Sequence, residues 1–272
     1  MTRLSEAGEL GLLAELESRG LIVGVEHDAA QLGGGLVATQ DALVEGIHFA
    51  LDRISWRELG FRAAAVNLSD LAASGAEPEA LLVTLAAPGT TEVADAVAFY
   101  EGIAEAGVRV AGGDTTAADA VIVSVTALGR SERVPGRAGA RPGDALVVTG
   151  PLGAAGAAFR AGRYVRPPLR LAEGKALARS AHALMDISDG LAVDAGHIAR
   201  RSGVRCVIDL DAVPLAAGAT VDDVGFGEDF ELLAAVAEPG DFAVVGRVEG
   251  GDGVVVLRDS EPYELRGWEH FR

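Results

Sequence analysis

The chain has 272 residues, 49% of them apolar, and 40 Asp and Glu against 23 Lys and Arg give a net charge of −17. This length allows one large domain or two medium ones, and the apolar content excludes general disorder. The acidic charge argues against a nucleic-acid groove, which needs a basic face, and against binding to an anionic membrane surface. Helices are predicted over 9–20, 55–75 and 90–107, and strands over 21–25, 35–43, 79–88, 108–116 and 119–130.

The segment 133–144, "RVPGRAGARPGD", is rich in Pro, Gly and Arg and predicts a linker. After it, strands are predicted over 145–150, 204–210, 228–236, 242–248 and 253–259, and helices over 151–162, 169–184 and 191–203. We therefore expect two domains, 1–138 and 139–272, of the α/β or α+β class.

The single cysteine, Cys206, excludes an internal disulfide and cysteine-type zinc sites. The N-terminal segment predicts an acidic amphipathic helix rather than a signal peptide, and no apolar run has the length of a membrane span. These features favour a cytoplasmic protein.

A subset of the acids lies at strand ends or inside apolar helices, where an ionised carboxylate is costly unless it is paired or binds a metal. They are Asp28, Asp41, Asp70, Asp114, Asp186 and Asp189. Oxygen ligands without thiols suit Mg²⁺, Mn²⁺ or Ca²⁺ rather than zinc. Each acid alone is as well explained by a helix cap or a turn, but six such sites together favour a metal centre.

Glycine turns add a second signal. Gly112 and Gly113 precede "DTT", and Gly150 and Gly153 flank a turn that leads into a helix. Such turns expose N–H groups that suit phosphate, although the chain has no Walker A motif. Carboxylates, metals and glycine turns together predict metal-dependent phosphoryl transfer.

Several motifs in order carry a family resemblance that covers the chain from about residue 22 to its end. They are "TQDALVEGIHF", "AVNLSDLAASGAEP", "GGDTT", "RAGARPGDALVVTGPLG", "MDISDGLAVDAGHIA", "GEDFELL" and "GWEHF". In these motifs the chain resembles the thiamine-monophosphate kinases of the aminoimidazole ribonucleotide synthetase-like superfamily. The resemblance implies a two-domain α/β protein whose N-terminal domains form a homodimer through a β-barrel-like interface. It also implies transfer of a phosphoryl group from ATP to thiamine monophosphate.

The resemblance also implies roles for individual residues. Asp186 and Asp189 would be catalytic. Several Mg²⁺ ions would be bound by Asp28, Thr39, Gln40, Asp41, Asp70, Asp114, Asp186 and Asp189. ATP would contact Gly113, Asp114, Arg137 and Ser188, and the thiamine moiety would contact His48, Glu228 and Trp268. Without the resemblance, Arg137 could be a solvated charge, His48 a core histidine, Glu228 an ion-pair partner and Trp268 terminal packing.

Three positions depart from the family pattern. In "EHDA", Glu26 replaces a glycine and His27 replaces an acid, and Gln40 replaces a hydroxyl residue. Because Mg²⁺ prefers oxygen ligands, His27 suggests weaker occupancy of one metal site or a preference for Mn²⁺. Two alternatives therefore remain open: another ATP-dependent synthetase or kinase of the superfamily, and a catalytically weak nucleotide-binding paralogue.

Overall fold

The computed structural model of the protein describes residues 3–23 and 26–268. Its helices are α1 (Leu4–Ser18), α2 (Trp56–Ala73), α3 (Val93–Glu105), α4 (Ala154–Arg160), α5 (Leu171–Leu177) and α6 (Leu191–Ser202). Its strands are β1 (Ala30–Gly33), β2 (Leu36–Val44), β3 (Glu77–Ala87), β4 (Val110–Ala117), β5 (Ile122–Arg130), β6 (Ala145–Val148), β7 (Ala183–Asp186), β8 (Arg205–Asp209), β9 (Leu232–Val236), β10 (Ala243–Glu249), β11 (Gly253–Arg258) and β12 (Glu261–Pro262). The mixture confirms the α/β class.

The N-terminal sheet has the strand order β1-β2-β5-β3-β4, with only β3 and β4 parallel. Successive side chains of a strand point to opposite faces. In β2, Val37, Thr39 and Leu43 are therefore buried on the face covered by α2, whereas Gln40 lies on the other face and is exposed. The sheet is open, with β1 and β4 at its edges.

Helix α2 is buried on almost every side. Ser55 caps its N-terminus by accepting a hydrogen bond from the backbone N–H of Glu58, and Gly75 follows its C-terminus at a φ of 62°. One side of α2 packs on β2 and β5, and its later turns pack on α5 and β7 of the second half. The small side chains of Ala72 and Ala73 join a core that contains Leu177 and other residues of the second half. Helix α2 thus connects the two halves.

The C-terminal sheet has the order β12-β11-β8-β10-β6-β9-β7. Its four-residue strands β6 and β7 are almost wholly buried, and the continuous apolar sequence of β6 predicts this. Helix α6 packs on β8 and β11, and its apolar residues Leu191, Ala195 and Ile198 enter the second core. This sheet is also open among the strands described.

Most predicted elements are confirmed, including the capped helix over 55–75 and the irregular linker. Some predictions are wrong. The helix predicted over 169–184 ends at Leu177, and β7 begins at Ala183. The glycine turn at 112–113 lies inside β4, and the helix predicted over 90–107 begins at Val93. The strand predicted over 21–25 is irregular at 21–23, and its last two residues lie outside the described part.

None of the helices in the described residues is long and apolar enough to cross a membrane.

Two glycines allow α2 and α3 to approach at backbone distance. A Cβ at Gly60 would overlap the carbonyl of Phe99, and one at Gly102 would overlap the carbonyl of Arg57. The helices must separate if either glycine gains a side chain.

We expect Gly60→Ala to destabilise the protein by about 1–3 kcal/mol, because overpacking outweighs the better helix propensity of alanine. Gly196→Ala in α6 is the matched control, since its Cβ would meet only Val254 Cγ2 at 3.7 Å. The control should be neutral or stabilising by up to about 1 kcal/mol. Urea unfolding measures both variants, and equal stability of the two would contradict the close approach.

Candidate functional site

Three carboxylates meet between α2, β7 and the segment before β1. Asp28 precedes β1, Asp70 lies in the last turn of α2, and Asp186 ends β7. One oxygen from each lies within 4.8 Å of the others. The side chain of Asp28 is 1% exposed, and Asp186 is 4% exposed. We call these three residues the carboxylate cluster.

Burial and mutual repulsion raise the pKa values of this group. Burial raises the pKa of Asp186 to about 8, and the charge on Asp28 adds to the shift. Burial also raises the pKa of Asp70 well above its usual range, with further contributions from Asp41 and Asp186. The pKa of Asp41 rises to about 6 through burial and the charges of Asp28 and Asp189. A bound cation would relieve this repulsion.

The oxygen atoms of the cluster fit a hard divalent cation. Oδ1 of Asp28 accepts hydrogen bonds from Arg137 Nε and Nη2, at 2.9 and 2.6 Å. Its Oδ2 is buried and has no hydrogen-bond partner among the described residues. A buried carboxylate oxygen without a partner is costly, and carboxylate oxygens are the ligands that Mg²⁺ prefers.

Three polar side chains orient the acids. Thr39 Oγ1 donates to Asp70 Oδ2 at 2.5 Å, and Ser69 Oγ donates to Asp186 Oδ2 at 2.6 Å. The amide oxygen of Asn67 accepts the backbone N–H of Asp41 at 3.1 Å. Thr39 was predicted from the sequence, but Ser69 and Asn67 were missed. Their signal was available, because Asn67 and Ser69 are polar positions on an otherwise apolar buried helix.

Asp189 lies in a second group, with Asp194 and His197 of α6. The Oδ2 atom of the buried Asp194 accepts the backbone N–H groups of Asp189 and Gly190, both at 3.1 Å. The carboxylate of Asp194 therefore fixes the turn that carries Asp189. Asp189 also acts on the pKa of Asp41, which connects this group with the carboxylate cluster.

Two predicted metal ligands lie on the opposite face of the N-terminal sheet. Gln40 Nε2 donates to Ser124 Oγ at 2.9 Å. Asp114 lies beside Thr84, and Thr84 lies opposite Ser124, so these positions share one face. Within one chain, the fold does not bring Gln40 or Asp114 to the carboxylate cluster.

Gly113 and His27 each have a local structural contact. A Cβ at Gly113 would overlap the carbonyl of Val83 in β3, so glycine is required there by strand packing. His27 lies beside Gly136, and its Nε2 is 3.0 Å from Gln31 Nε2. Among the described residues, neither group of potential metal ligands includes His27.

Two loops next to the cluster are joined by backbone hydrogen bonds. We call residues 186–190 the acid loop and residues 227–231 the glutamate loop. The N–H of Glu228 donates to the carbonyl of Ser188, that of Phe230 to Ile187, and that of Ile187 to Glu231, at 2.8–2.9 Å. The backbone carbonyl of Ser188 therefore helps to join the two loops. Glu228 has a φ of 58°, and its carboxylate pairs with Arg62 of α2.

His48 and Trp268, predicted to contact the thiamine moiety, lie in different parts of the molecule. His48 follows β2, and its Nδ1 accepts the backbone N–H of Val44 at 3.0 Å. Trp268 is 47% exposed, and its backbone N–H donates to the backbone carbonyl of Asp189 at 2.9 Å. This bond fixes the C-terminal segment beside the acid loop. The rest of "GWEHF", residues 269–271, lies outside the described part.

The predicted phosphate turn at Gly150–Gly153 is filled by a carboxylate of the chain itself. Asp229 Oδ2 accepts the N–H of Gly153 at 2.7 Å, and Oδ1 accepts that of Ala155 at 3.3 Å. An acid satisfies the free N–H groups at the start of α4 in the way that a phosphate would. The N–H groups predicted to bind phosphate are therefore already bonded to the carboxylate of Asp229.

Comparisons with known proteins show similarity along most of the chain. Residues 26–131 match the family model for the N-terminal domain of AIR synthase related proteins, and residues 141–259 match that for the C-terminal domain. The thiamine-monophosphate kinase of Aquifex aeolicus is 34% identical, over 99% of this chain and 100% of the relative. That of Rhodopirellula baltica is 37% identical, over 80% of this chain and 77% of the relative. The solved structure "AaThiL complexed with AMPPCP and TMP" superposes with a TM-score of 0.90 at 32% identity, over 99% of each chain.

We expect Asp229→Ala to destabilise the protein by about 1–3 kcal/mol, because it leaves the N–H groups of Gly153 and Ala155 without their acceptor. Asp229→Asn retains one acceptor oxygen and should lose less. Urea unfolding measures both variants. If Asp229→Ala were as stable as the unsubstituted protein, the occupied turn would not contribute to the fold.

Proposed function

The chain belongs to the thiamine-monophosphate kinase family, and we propose that it transfers the terminal phosphoryl group of ATP to thiamine monophosphate. The product is thiamine diphosphate. The observation that carries the proposal is the carboxylate cluster in a fold that matches this family along its whole length.

Phosphoryl donor and acceptor are both anions, and the cluster that receives them is acidic. We propose that Mg²⁺ ions are held by Asp28, Asp41, Asp70, Asp186 and Asp189. Bound there, they would neutralise the phosphates and hold donor and acceptor in line. The phosphate that attacks is already ionised at neutral pH, so no side chain has to act as a strong general base.

Arg137 is the cationic side chain that contacts this cluster. Its guanidinium binds Asp28 Oδ1 and is 25% exposed, so some of its N–H groups face the solvent. A guanidinium donates several hydrogen bonds in a fixed plane, which suits phosphate oxygens. We assign Arg137 to the nucleotide phosphates. Ser188 stays a predicted nucleotide contact.

We propose that Glu228 and Trp268 recognise the thiamine part of the acceptor, whereas His48, which lies in a different part of the molecule, stays a predicted contact. A cationic thiazolium ring favours acidic and aromatic neighbours. Two contacts support the assignment, since Glu228 is joined to Ser188 and Trp268 to Asp189 by backbone hydrogen bonds. The backbones of these two residues are therefore held next to the acid loop. A cytoplasmic location stays a prediction.

With ATP, Mg²⁺ and thiamine monophosphate, we expect the protein to form thiamine diphosphate, measured by chromatography. Asp186→Asn should lower kcat by roughly a hundredfold or more, because it removes a carboxylate ligand from the cluster. Asp241→Asn is the matched control, since Asp241 is exposed in the turn between β9 and β10 and belongs to neither group of potential metal ligands, and it should change kcat by less than about threefold.

Free thiamine serves as the acceptor control and should give no product. A protein that binds ATP but forms no thiamine diphosphate would contradict the proposed activity. Full activity of Asp186→Asn would contradict the role of the cluster.

We further propose that the chain forms a homodimer through the uncovered face of the N-terminal sheet, with the two sheets forming a barrel-like interface. Leu82 and Ile122 on this face are 40% and 38% exposed. All eight residues of β4, at the edge of the same sheet, are exposed. A second copy would cover these apolar groups and bring Gln40 and Asp114 into an interface.

The double substitution Leu82→Glu and Ile122→Glu should convert the dimer into a monomer, because it buries like charges in the interface. Sedimentation analysis measures the mass. Val93→Glu and Val97→Glu on α3, where Val93 is 81% and Val97 is 52% exposed, form the control and should leave the dimer intact. A monomer before any substitution would overturn the homodimer.

A further inference from the structure

Arg62 extends from α2 across to the second half of the chain. It is 6% exposed, and its Nη2 donates to Oε1 of Glu228, 166 residues further along the sequence. Buried arginines are rare without a partner. The side chain of Glu228 is 35% exposed, and the bond to Arg62 uses only one of its two oxygens. Arg62 thus holds one carboxylate oxygen of Glu228, while part of the carboxylate remains accessible.

The backbone of Glu228 does not by itself favour this position. Its φ of 58° is uncommon for a residue with a side chain. Its N–H is bonded to the carbonyl of Ser188, which fixes the main chain but leaves the side chain free to rotate. The ion pair with Arg62 is the contact that fixes the carboxylate.

A segment from the second half lies near Arg62. Tyr164 packs against the N-terminal core, and Arg166 lies 4.6 Å above the ring of Phe61 while pairing with Glu105 at 2.5 Å. The hydroxyl of Tyr164 is buried and has no hydrogen-bond partner among the described residues. Its pKa is raised by burial and responds to the charges of Arg62 and Glu228, so all three groups share one environment.

We propose that Arg62 is a positioning residue for the acceptor substrate: it fixes the carboxylate of Glu228 so that the cationic ring of thiamine monophosphate meets a preoriented negative charge. The inference rests on the proposed function, and it adds a residue that does not itself touch the substrate. Loss of Arg62 should affect thiamine monophosphate and not ATP, because Arg62 contacts the glutamate loop and not the carboxylate cluster.

Steady-state kinetics of Arg62→Gln test the inference, with each substrate varied at a saturating level of the other. We expect the KM for thiamine monophosphate to rise about tenfold, as for loss of one charge-assisted hydrogen bond, with the KM for ATP and kcat within about twofold. Arg62→Lys keeps the charge and should recover most of the loss. Arg57→Gln is the matched control on the same helix, because Arg57 is 50% exposed and pairs with Glu101 and Glu105.

A double substitution shows whether Arg62 acts through Glu228. Arg62→Gln with Glu228→Gln removes both charges, so it remains usable if the single variant folds poorly. It should match Glu228→Gln alone in both KM values. Equal rises in the two KM values, a fall in kcat alone, or an unchanged KM for thiamine monophosphate in Arg62→Gln would overturn the inference. Absence of product from the unsubstituted protein would instead overturn the proposed function.

Discussion

The structure depends on holding several buried carboxylates together against their mutual repulsion. Asp28, Asp70 and Asp186 come from three separate segments, and burial and repulsion raise the pKa values of Asp70 and Asp186. Such an arrangement costs free energy that other contacts must offset. The offset comes from the apolar packing of α2 on both halves and from Arg137, which supplies a positive charge beside Asp28.

Helix α2 can do this because its sequence combines small apolar residues with a few polar ones. Its alanines allow close contact with the N-terminal sheet and with the core of the second half. Asn67, Ser69 and Asp70 are placed among them, and each is bonded to a residue of the site. Arg62 lies two turns earlier and reaches the glutamate loop. One helix therefore contacts both the acids and Glu228.

The features that the sequence predicts correctly are those whose causes are local. The Ser55 cap, the strand alternation of β2 and the helix after Gly190 were predictable because their causes lie within a few residues. The same alternation shows why Thr39 and Gln40 cannot both face the cluster. The filling of the glycine turn by Asp229 depends on contacts between residues about 75 positions apart, and no local pattern carries them. The family motifs pointed to the acids, but they carry no information about which face of the N-terminal sheet each side chain lies on.

The acid loop, which we propose binds metal, is joined to the glutamate loop, which we propose recognises the acceptor. Three backbone hydrogen bonds tie the acid loop to the glutamate loop, and a fourth ties Trp268 to Asp189. Backbone bonds of this kind leave little freedom for one loop to move without the other. Because phosphoryl transfer between two bound anions gains most of its rate from fixed distance and alignment, a rigid link between Asp189 and Glu228 serves the reaction directly. The fixed spacing of these two residues would then set which acceptors place their phosphate within reach of the cluster.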